Sequence, residues 1–340
     1  MKAFQLVKHG RPEESFRLTQ LPDPSPAADE VTIEVEAFGL NFADIMARLG
    51  LYRECPPLPA VIGYDVVGYV KEIGSHVTHL KKGQRVVALT RFGGYASLVK
   101  TKSQGAVPLS ETTPAGEACA LATQCCTAYY AAEVMVRLNP GNHVLIQAAA
   151  GGVGSALVQI ARHRGCIIYG AAGSEEKLHY LKRLGVNYPI NYRKNDFYEE
   201  VKKIMDGQQP DVIFNSIGGR TVSEGLRLLG AGGRMVCYGA AEAAGSKIPL
   251  LAQLKLLWGF GLILPPALVM QSKSFIGINM LRIADHKPST LQHCLHAVVQ
   301  WYNDGVLKPH VGGVFKAEQL AEAHRLLETR QSIGKLVVQW

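Results

Sequence analysis

Apolar and polar positions change period along this chain, and the change divides it into parts. Within 31–38, Val31, Ile33, Val35 and Ala37 alternate with Thr32, Glu34 and Glu36, the period of two of a half-buried strand. Short runs at 3–7, 16–20, 66–73, 85–89 and 94–100 predict further strands. A proline-rich connector, LPDPSPAA (21–28), and Gly63, Gly68, Gly74 and Gly83 mark turns and close backbone approaches. Residues 1–118 thus predict a compact β-barrel-like domain. Beyond them strands alternate with helix-period stretches: strands at 166–171, 186–191, 211–214 and 234–238, and helices at 196–205 and 221–229. Such alternation predicts a parallel sheet with helices on both faces. The tail returns to mixed elements: a strand at 275–278, an amphipathic helix at 290–302, a strand at 311–315, a helix at 317–328 and a last strand at 335–339.

The most informative stretch is VLIQAAAGGVG (144–154) running into SALVQIARHRG. Three β-prone apolar residues lead into small ones, and Val153, Leu157, Ile160 and Ala161 then recur at helical spacing. Strand, tight turn and helix form the context that gives a glycine motif meaning. The turn reads A-x-G-x-x-G, with Ala149 in place of the first glycine and Gly151 and Gly154 in the other two positions. Gly151, followed by Gly152 and Val153, would let the backbone approach a pyrophosphate. Gly154 would let the helix pack closely on the strand, and the helix N-terminus would attract the anion.

The next strand identifies the dinucleotide. An enzyme that uses NADH places a carboxylate about 20 residues past the first glycine, for the ribose 2′-hydroxyl. Here that strand ends Ala171-Ala172-Gly173-Ser174, without one. Glu175 and Glu176 fit the first turn of a helix capped by Ser174, where negative charge suits the helix dipole. Lys177, Tyr192 and Arg193 offer an ammonium, a hydroxyl and a guanidinium for a 2′-phosphate. The set favours NADPH. Since ligands bind at the carboxyl ends of parallel strands, Ser216 and Tyr238-Gly239 are expected beside the glycine turn.

Composition narrows the picture. At 340 residues the chain is long for one domain and comfortable for two, and 47% hydrophobic with 19% charged residues is ordinary globular usage. The net charge of +8 comes from scattered residues, with Lys81-Lys82 and Lys202-Lys203 the only adjacent lysines, so nucleic acid is not an expected partner. A phosphate-rich cofactor accounts for part of it. Seven cysteines without a C-x-x-C pair make neither a disulfide nor a zinc framework, and Cys125-Cys126 read as small buried residues. With MKAFQLV starting directly as a strand, a reducing cytoplasm is the expected location. In 247–270 the uninterrupted apolar run after Lys255 is about 15 residues, short of the roughly 20 that span a bilayer, and Pro265-Pro266 are expected to break a helix. That stretch is left as an apolar lid, a dimer-packing segment or a peripheral membrane contact through 250–270.

Taken together, GLNFADIMARLGLY (39–52), PPLPAVIGYDVVGYVKEIG (56–74), KKGQRV (81–86), QAAAGGVGSALVQIAR (147–162), YPINYR (188–193) and IGKLVV (333–338) resemble the medium-chain dehydrogenase/reductase superfamily in its zinc-free quinone oxidoreductase branch. The resemblance covers essentially the whole chain. Within the branch it is most similar to the vesicle amine transport protein 1 group. It implies an α/β fold in which a Rossmann-type doubly wound parallel sheet (119–274) is inserted into a GroES-like β-barrel catalytic domain (1–118 and 275–340). Where zinc alcohol dehydrogenases of the superfamily carry a ligand cysteine and a Gly-His-Glu motif, this chain has Asn41 and Gly63-Tyr64-Asp65, and the four-cysteine structural loop is absent.

The resemblance therefore implies metal-free reduction by NADPH of a quinone or an α,β-unsaturated carbonyl. Asn41 would hold the nicotinamide ribose or the substrate oxygen, and Tyr52 would donate to the developing oxyanion. Relatives often have a tyrosine five residues after the asparagine, where this chain has Met46. Matching residue by residue adds Thr127, Gly152, Val153, Ser174, Lys177, Tyr192, Ser216, Tyr238, Asn279 and Lys335 to the NADPH site. It also implies a homodimer paired through the edge strand at 275–278. A second reading is a membrane-associated adaptor or lipid-handling protein that retains the nucleotide fold.

Overall fold

The computed structural model describes residues 1–194, 196–241 and 263–340, so 250–262 of the apolar stretch lie outside the described residues. In chain order the strands are β1 (Lys2–Leu6), β2 (Phe16–Gln20), β3 (Glu30–Leu40), β4 (Ala60–Val61), β5 (Asp65–Ile73), β6 (Arg85–Leu89), β7 (Leu98–Lys102), β8 (Ala106–Pro108), β9 (His143–Ile146), β10 (Ile167–Ala172), β11 (Tyr188–Asn191), β12 (Val212–Asn215), β13 (Arg234–Cys237), β14 (Ser274–Gly277), β15 (Val311–Lys316) and β16 (Lys335–Gln339). One unit comprises Met1–Cys126, Met280–Gly305 and Pro309–Trp340, and the other Thr127–Asn279 with Val306–Lys308.

The first unit is built on β3. Its sheet runs β15-β16-β3-β5-β6-β8, with β7 also on β3, and β2-β1-β4 form a separate three-stranded sheet. The expected alternation holds at Val31, Ile33, Val35 and Ala37, which are buried. It fails at Thr32, which is buried because its hydroxyl accepts the Glu72 N–H at 3.1 Å. It stops after Ala37, where Phe38–Leu40 are covered on both faces. Two register shifts in the β3–β5 pairing, between Thr32 and Ile33 and between Val35 and Ala37, bend the strand at that point. Arg85, nearly fully buried, reaches Glu36 at 3.0 Å and the Ser110 and Thr113 carbonyls at 2.8 Å.

Several elements differ from expectation. The strand expected at 94–100 forms at Leu98–Lys102, after a loop in which Phe92 and Gly93 have positive φ. A helix at Phe42–Arg48 and the short β4 and β8 carry too few residues for a periodic signal. Pro265 and Pro266 begin a helix, Pro265–Met270, rather than break one, since proline costs nothing at a first turn whose N–H groups have no intrahelical acceptor.

The second unit holds a six-stranded parallel sheet, ordered β11-β10-β9-β12-β13-β14. This is the 3-2-1-4-5-6 order of the doubly wound nucleotide-binding fold, whose direction reverses between β9 and β12. Helices Phe197–Met205 and Arg220–Leu228 cover one face through Val201, Met205, Val222 and Leu228, which pack with Leu145, Ile190, Ile213 and Met235. Against β9, helix Gly152–His163 fits because Gly154 has no side chain. A Cβ there would lie 2.4 Å from the Ala148 carbonyl oxygen and 2.7 Å from the Ala149 Cα. Both contacts are backbone and cannot turn away. Gly154→Val is therefore expected to lower stability by about 1–3 kcal/mol or more, read from the urea midpoint, whereas Gly232→Ala meets no atom within 4 Å and tests only the strain of its φ of 78°.

Candidate functional site

In the first unit the chemistry converges on Asn41. This residue ends β3 and caps helix Phe42–Arg48, and it is nearly fully buried. Its side chain turns inward: Oδ1 accepts from Lys335 Nζ at 3.0 Å, and Nδ2 donates to Asp65 Oδ1. Lys335, the first residue of β16, places its ammonium 2.5 Å from Asp65 Oδ2, and Thr123 donates to Asp65 Oδ1 at 3.1 Å. Both charged residues are 0% exposed. The space they occupy is left by Gly39, where a Cβ would lie 2.1 Å from both Asp65 Oδ2 and Lys335 Cε. Below Asn41, the Asp44 carboxylate accepts the Asn41 N–H at 2.7 Å, and burial pushes its pKa up to about 7.

Tyr52 follows the same helix in a loop, with its ring edge-on to Tyr64 at 6.2 Å. Burial, then Glu54 and Asp44, push its phenol up to about 12, so it stays protonated and can donate. The nearby ion pairs of Glu54, to Arg91 at 3.0 Å and to Arg282 at 2.8 Å, join this loop to the 90–94 loop and to helix Met280–His286. The group at 41, 65 and 335 does not suit a zinc ion. An amide, a carboxylate and a buried ammonium occupy it, and the ammonium already neutralises the Asp65 carboxylate. Among the described residues no three His, Cys, Asp or Glu side chains are grouped to hold a metal.

The second unit gathers its candidates at the carboxyl ends of adjacent strands. After β9, Ala148 takes a left-handed conformation, φ 49°, and the Gly151 N–H closes the turn on the Ala148 oxygen at 2.9 Å. Gly151 then caps the helix that Gly152 and Val153 begin. A Cβ on Gly151 would meet only the Ala148 oxygen, at 3.3 Å, so its side is open to an incoming group. At the end of β10, Gly173 gives room for Tyr192 and Arg193: a Cβ there would lie 2.6 Å from the Tyr192 hydroxyl and 3.2 Å from Arg193 Nε. Ser174 caps helix Glu175–Leu184 by accepting the Lys177 N–H at 3.4 Å. Glu175 is engaged by Lys194 at 2.7 Å and by Asn191 at 3.1 Å. At the ends of β12 and β13, a Cβ on Gly239 would lie 2.7 Å from the Ser216 oxygen, and Tyr238 hydrogen bonds to Ser216. Asn279 lies two residues past β14, and Thr127 is buried in the helical run 126–129.

The structure thus joins Asn41 to Lys335 within one unit, and in the other brings Gly151–Val153, Gly173, Ser174, Tyr192, Ser216, Tyr238 and Gly239 to one edge of a sheet. Among the described residues the Lys335 ammonium is engaged by Asn41 and Asp65. Sequence reasoning missed three participants, Gly39, Asp44 and Thr123. Asp44 alone carried a signal, a carboxylate three residues after a helix cap.

An alcohol dehydrogenase GroES-like domain model matches residues 27–111, and a zinc-binding dehydrogenase model matches 152–295. The chain is 33% identical over 317 residues to the synaptic vesicle membrane protein VAT-1 homolog of Homo sapiens, covering 93% of this chain and 80% of that protein. Among solved structures it resembles the Escherichia coli quinone oxidoreductase complexed with NADPH, with a TM-score of 0.86, 27% identity and 100% of both chains covered. It also resembles the CurK enoyl reductase, with a TM-score of 0.84, 28% identity and 99% and 98% covered.

If the Lys335–Asp65 pair holds the site as described, Lys335→Met strands a buried carboxylate and is expected to cost about 3–5 kcal/mol. Combining it with Asp65→Leu is expected to recover most of that loss in chemical denaturation.

Proposed function

The chain belongs to the medium-chain dehydrogenase/reductase superfamily, and from that membership we propose that it is an NADPH-dependent, zinc-independent reductase of quinones or α,β-unsaturated carbonyls. The observation that carries this reading is the end of β10. Gly173 admits Tyr192 and Arg193, Ser174 and Lys177 follow at the helix start, and the strand itself ends in Ala171-Ala172-Gly173-Ser174, without a carboxylate. A 2′-phosphate suits that group, and the glycine turn after β9 suits the pyrophosphate. Support comes from the likeness to a quinone oxidoreductase solved with NADPH and to an enoyl reductase.

Bound NADPH would supply the hydride. Asn41, with its amide already oriented by Lys335 and Asp65, would position the ribose or the acceptor oxygen. Tyr52, neutral throughout the physiological range, would donate to the oxygen on which charge develops, and solvent would complete protonation. The acceptor must already be electrophilic, since the residues at 41, 64 and 65 do not suit a zinc ion. All seven cysteines are free, in keeping with a reducing cytoplasm.

Strand β14 is an edge of its sheet, and next to it Val269 and Met270 are 81% and 88% exposed. Pairing of two copies along β14 would satisfy both the edge and the apolar side chains. The same exposed pair favours a second reading, a membrane-associated adaptor with the nucleotide fold, although no helix among the described residues is long and apolar enough to cross a membrane.

NADPH oxidation followed with a panel of quinones and enones tests the reductase. Turnover with a marked preference over NADH is expected. Tyr192→Phe with Lys177→Ala is expected to reduce the NADPH/NADH ratio of kcat/KM by about tenfold to a hundredfold. Tyr52→Phe should lower kcat on the order of 10²-fold. Tight NADPH binding without turnover of any acceptor, together with flotation on liposomes, would support the adaptor instead. Light scattering should give twice the chain mass, and Phe275→Pro on β14 should shift it toward a single copy.

A further inference from the structure

Behind Asn41 lies a line of buried polar groups that the proposed reaction leaves unused. Asp44 is fully buried, and one carboxylate oxygen accepts the Asn41 N–H at 2.7 Å while the Asp44 N–H donates to the Asn41 carbonyl at 2.9 Å. The Tyr95 hydroxyl faces the same carboxyl, whose other oxygen, Oδ1, has no hydrogen-bond partner among the described residues. On its other side that hydroxyl is 3.1 Å from His324 Nε2. His324 is itself fully buried, and burial, then Arg48, hold its pKa well below the usual imidazole range, so the ring is neutral. Its Nδ1 has no partner. The arrangement that leaves least unsatisfied puts the ring proton on Nε2, donating to Tyr95, whose own proton then points at Asp44.

We infer that Asp44 is a positioning residue: its carboxylate, oriented from behind by the Tyr95–His324 line, fixes the turn that presents the Asn41 amide, and the turn loosens when the carboxyl takes up a proton. The inference rests on Asn41 being a site residue of the proposed reductase. Asp44 is poised for this because the nearest cation is already engaged. Lys335 is paired with Asp65, and Arg48, four residues further along the helix, with Glu328 at 2.6 Å. The other titratable groups that face the carboxyl are Tyr52 and Cys55 from the loop after the helix and Tyr64 from the turn between β4 and β5, and each feels its charge.

Burial, then the Asp65 charge, raise Asp44 from 3.8 to about 7, against the lowering by the Asn41 N–H, Lys335 and Tyr95. A raised carboxylate contributes stability that is present below the unfolded value and is lost as pH rises through the folded one. Here that window runs from about 4 to about 7. Positioning follows the ionised form in the folded protein and therefore grows as pH rises through about 7. Stability and site order should move in opposite directions with pH, which a purely structural carboxylate would not give.

The test measures NADPH affinity by fluorescence and kcat/KM for quinone reduction between pH 5.5 and 8.5, with thermal midpoints alongside. The wild type should lose affinity and kcat/KM below a midpoint near 7, and Asp44→Asn should bind about tenfold more weakly with no acid limb. Relative to wild type, Asp44→Asn should gain stability as pH rises. Tyr95→Phe, which removes one of the groups that hold the carboxyl down beside the Asn41 N–H and Lys335, should move the midpoint up. A folded Tyr95→Phe protein with an unmoved midpoint overturns the inference, as does an Asp44→Asn protein that keeps the wild-type limb. If no acceptor is reduced the reductase reading fails, and the pH dependence of NADPH affinity still decides the role of Asp44.

Discussion

The ion pair between Lys335 and Asp65 is the interaction on which the first unit is organised. Two opposite charges fully removed from water cost several kcal/mol each to desolvate, and attraction between them repays this only with good geometry and further hydrogen bonds. Both conditions are met here. The 2.5 Å contact is supplemented by Thr123 and by the Asn41 amide, which bridges the two charges with its oxygen toward the ammonium and its nitrogen toward the carboxylate. That bridge settles which way the amide points, because the reverse would set like partners against each other. An aspartate at 41 would add a second anion beside Asp65, and an alkyl group would leave both charges short of partners. The orientation of the candidate site residue is thus an electrostatic consequence, and only a glycine at 39 leaves room for it.

The second unit achieves its order differently, through backbone. Its recognition features are absences of side chain: Gly151 open to an incoming group, Gly154 in contact with the Ala148–Ala149 backbone, Gly173 making way for Tyr192 and Arg193. What these positions share is a place at the carboxyl ends of parallel strands, where the sheet order reverses and helix N-termini carry partial positive charge. Glu175 and Glu176 complement the start of helix Glu175–Leu184, and Lys194 and Asn191 engage the first of them. Acidic residues close in sequence to the end of β10 therefore serve the helix start, and the first of them is paired.

This contrast explains what could be read before the structure was known. The parallel sheet was legible because its signals are local: each strand is a short apolar run, each helix has its own cap, and the glycine turn lies within a dozen residues. The strand at Arg85–Leu89 and the cap at Ser174 came out as expected for the same reason. Loops and short elements were not legible. Helix Phe42–Arg48 has seven residues, too few to show a period, and β7 formed four residues later than its pattern suggested, after a loop whose shape depends on positive φ at Phe92 and Gly93. The buried pair of Lys335 with Asp65 was not legible in the pattern for another reason. The two lie on β16 and β5, far apart along the chain, and a lysine at the start of a strand looks solvent-facing in any pattern of hydrophobicity, so only the resemblance pointed to Lys335. Thr32 misled in the same way, its hydroxyl being satisfied by a neighbouring strand's N–H.

The charge balance at Asn41 also bears on the kind of chemistry such a site can support. A bound dication needs ligands that give up negative charge or lone pairs to it, and it tolerates no fixed cation in contact with the same carboxylate. Here the carboxylate is already matched by an ammonium on strand β16, built in with the chain and not exchangeable with solvent. Replacing ion coordination by an internal salt bridge keeps the local geometry rigid while it removes the power to polarise an alcohol or a simple carbonyl. What is left is a preorganised amide and a neutral phenol. Those groups stabilise a negative charge arriving on an oxygen that conjugation already makes electron-poor. The proposed acceptors, quinones and enones, have this property, and unactivated alcohols lack it.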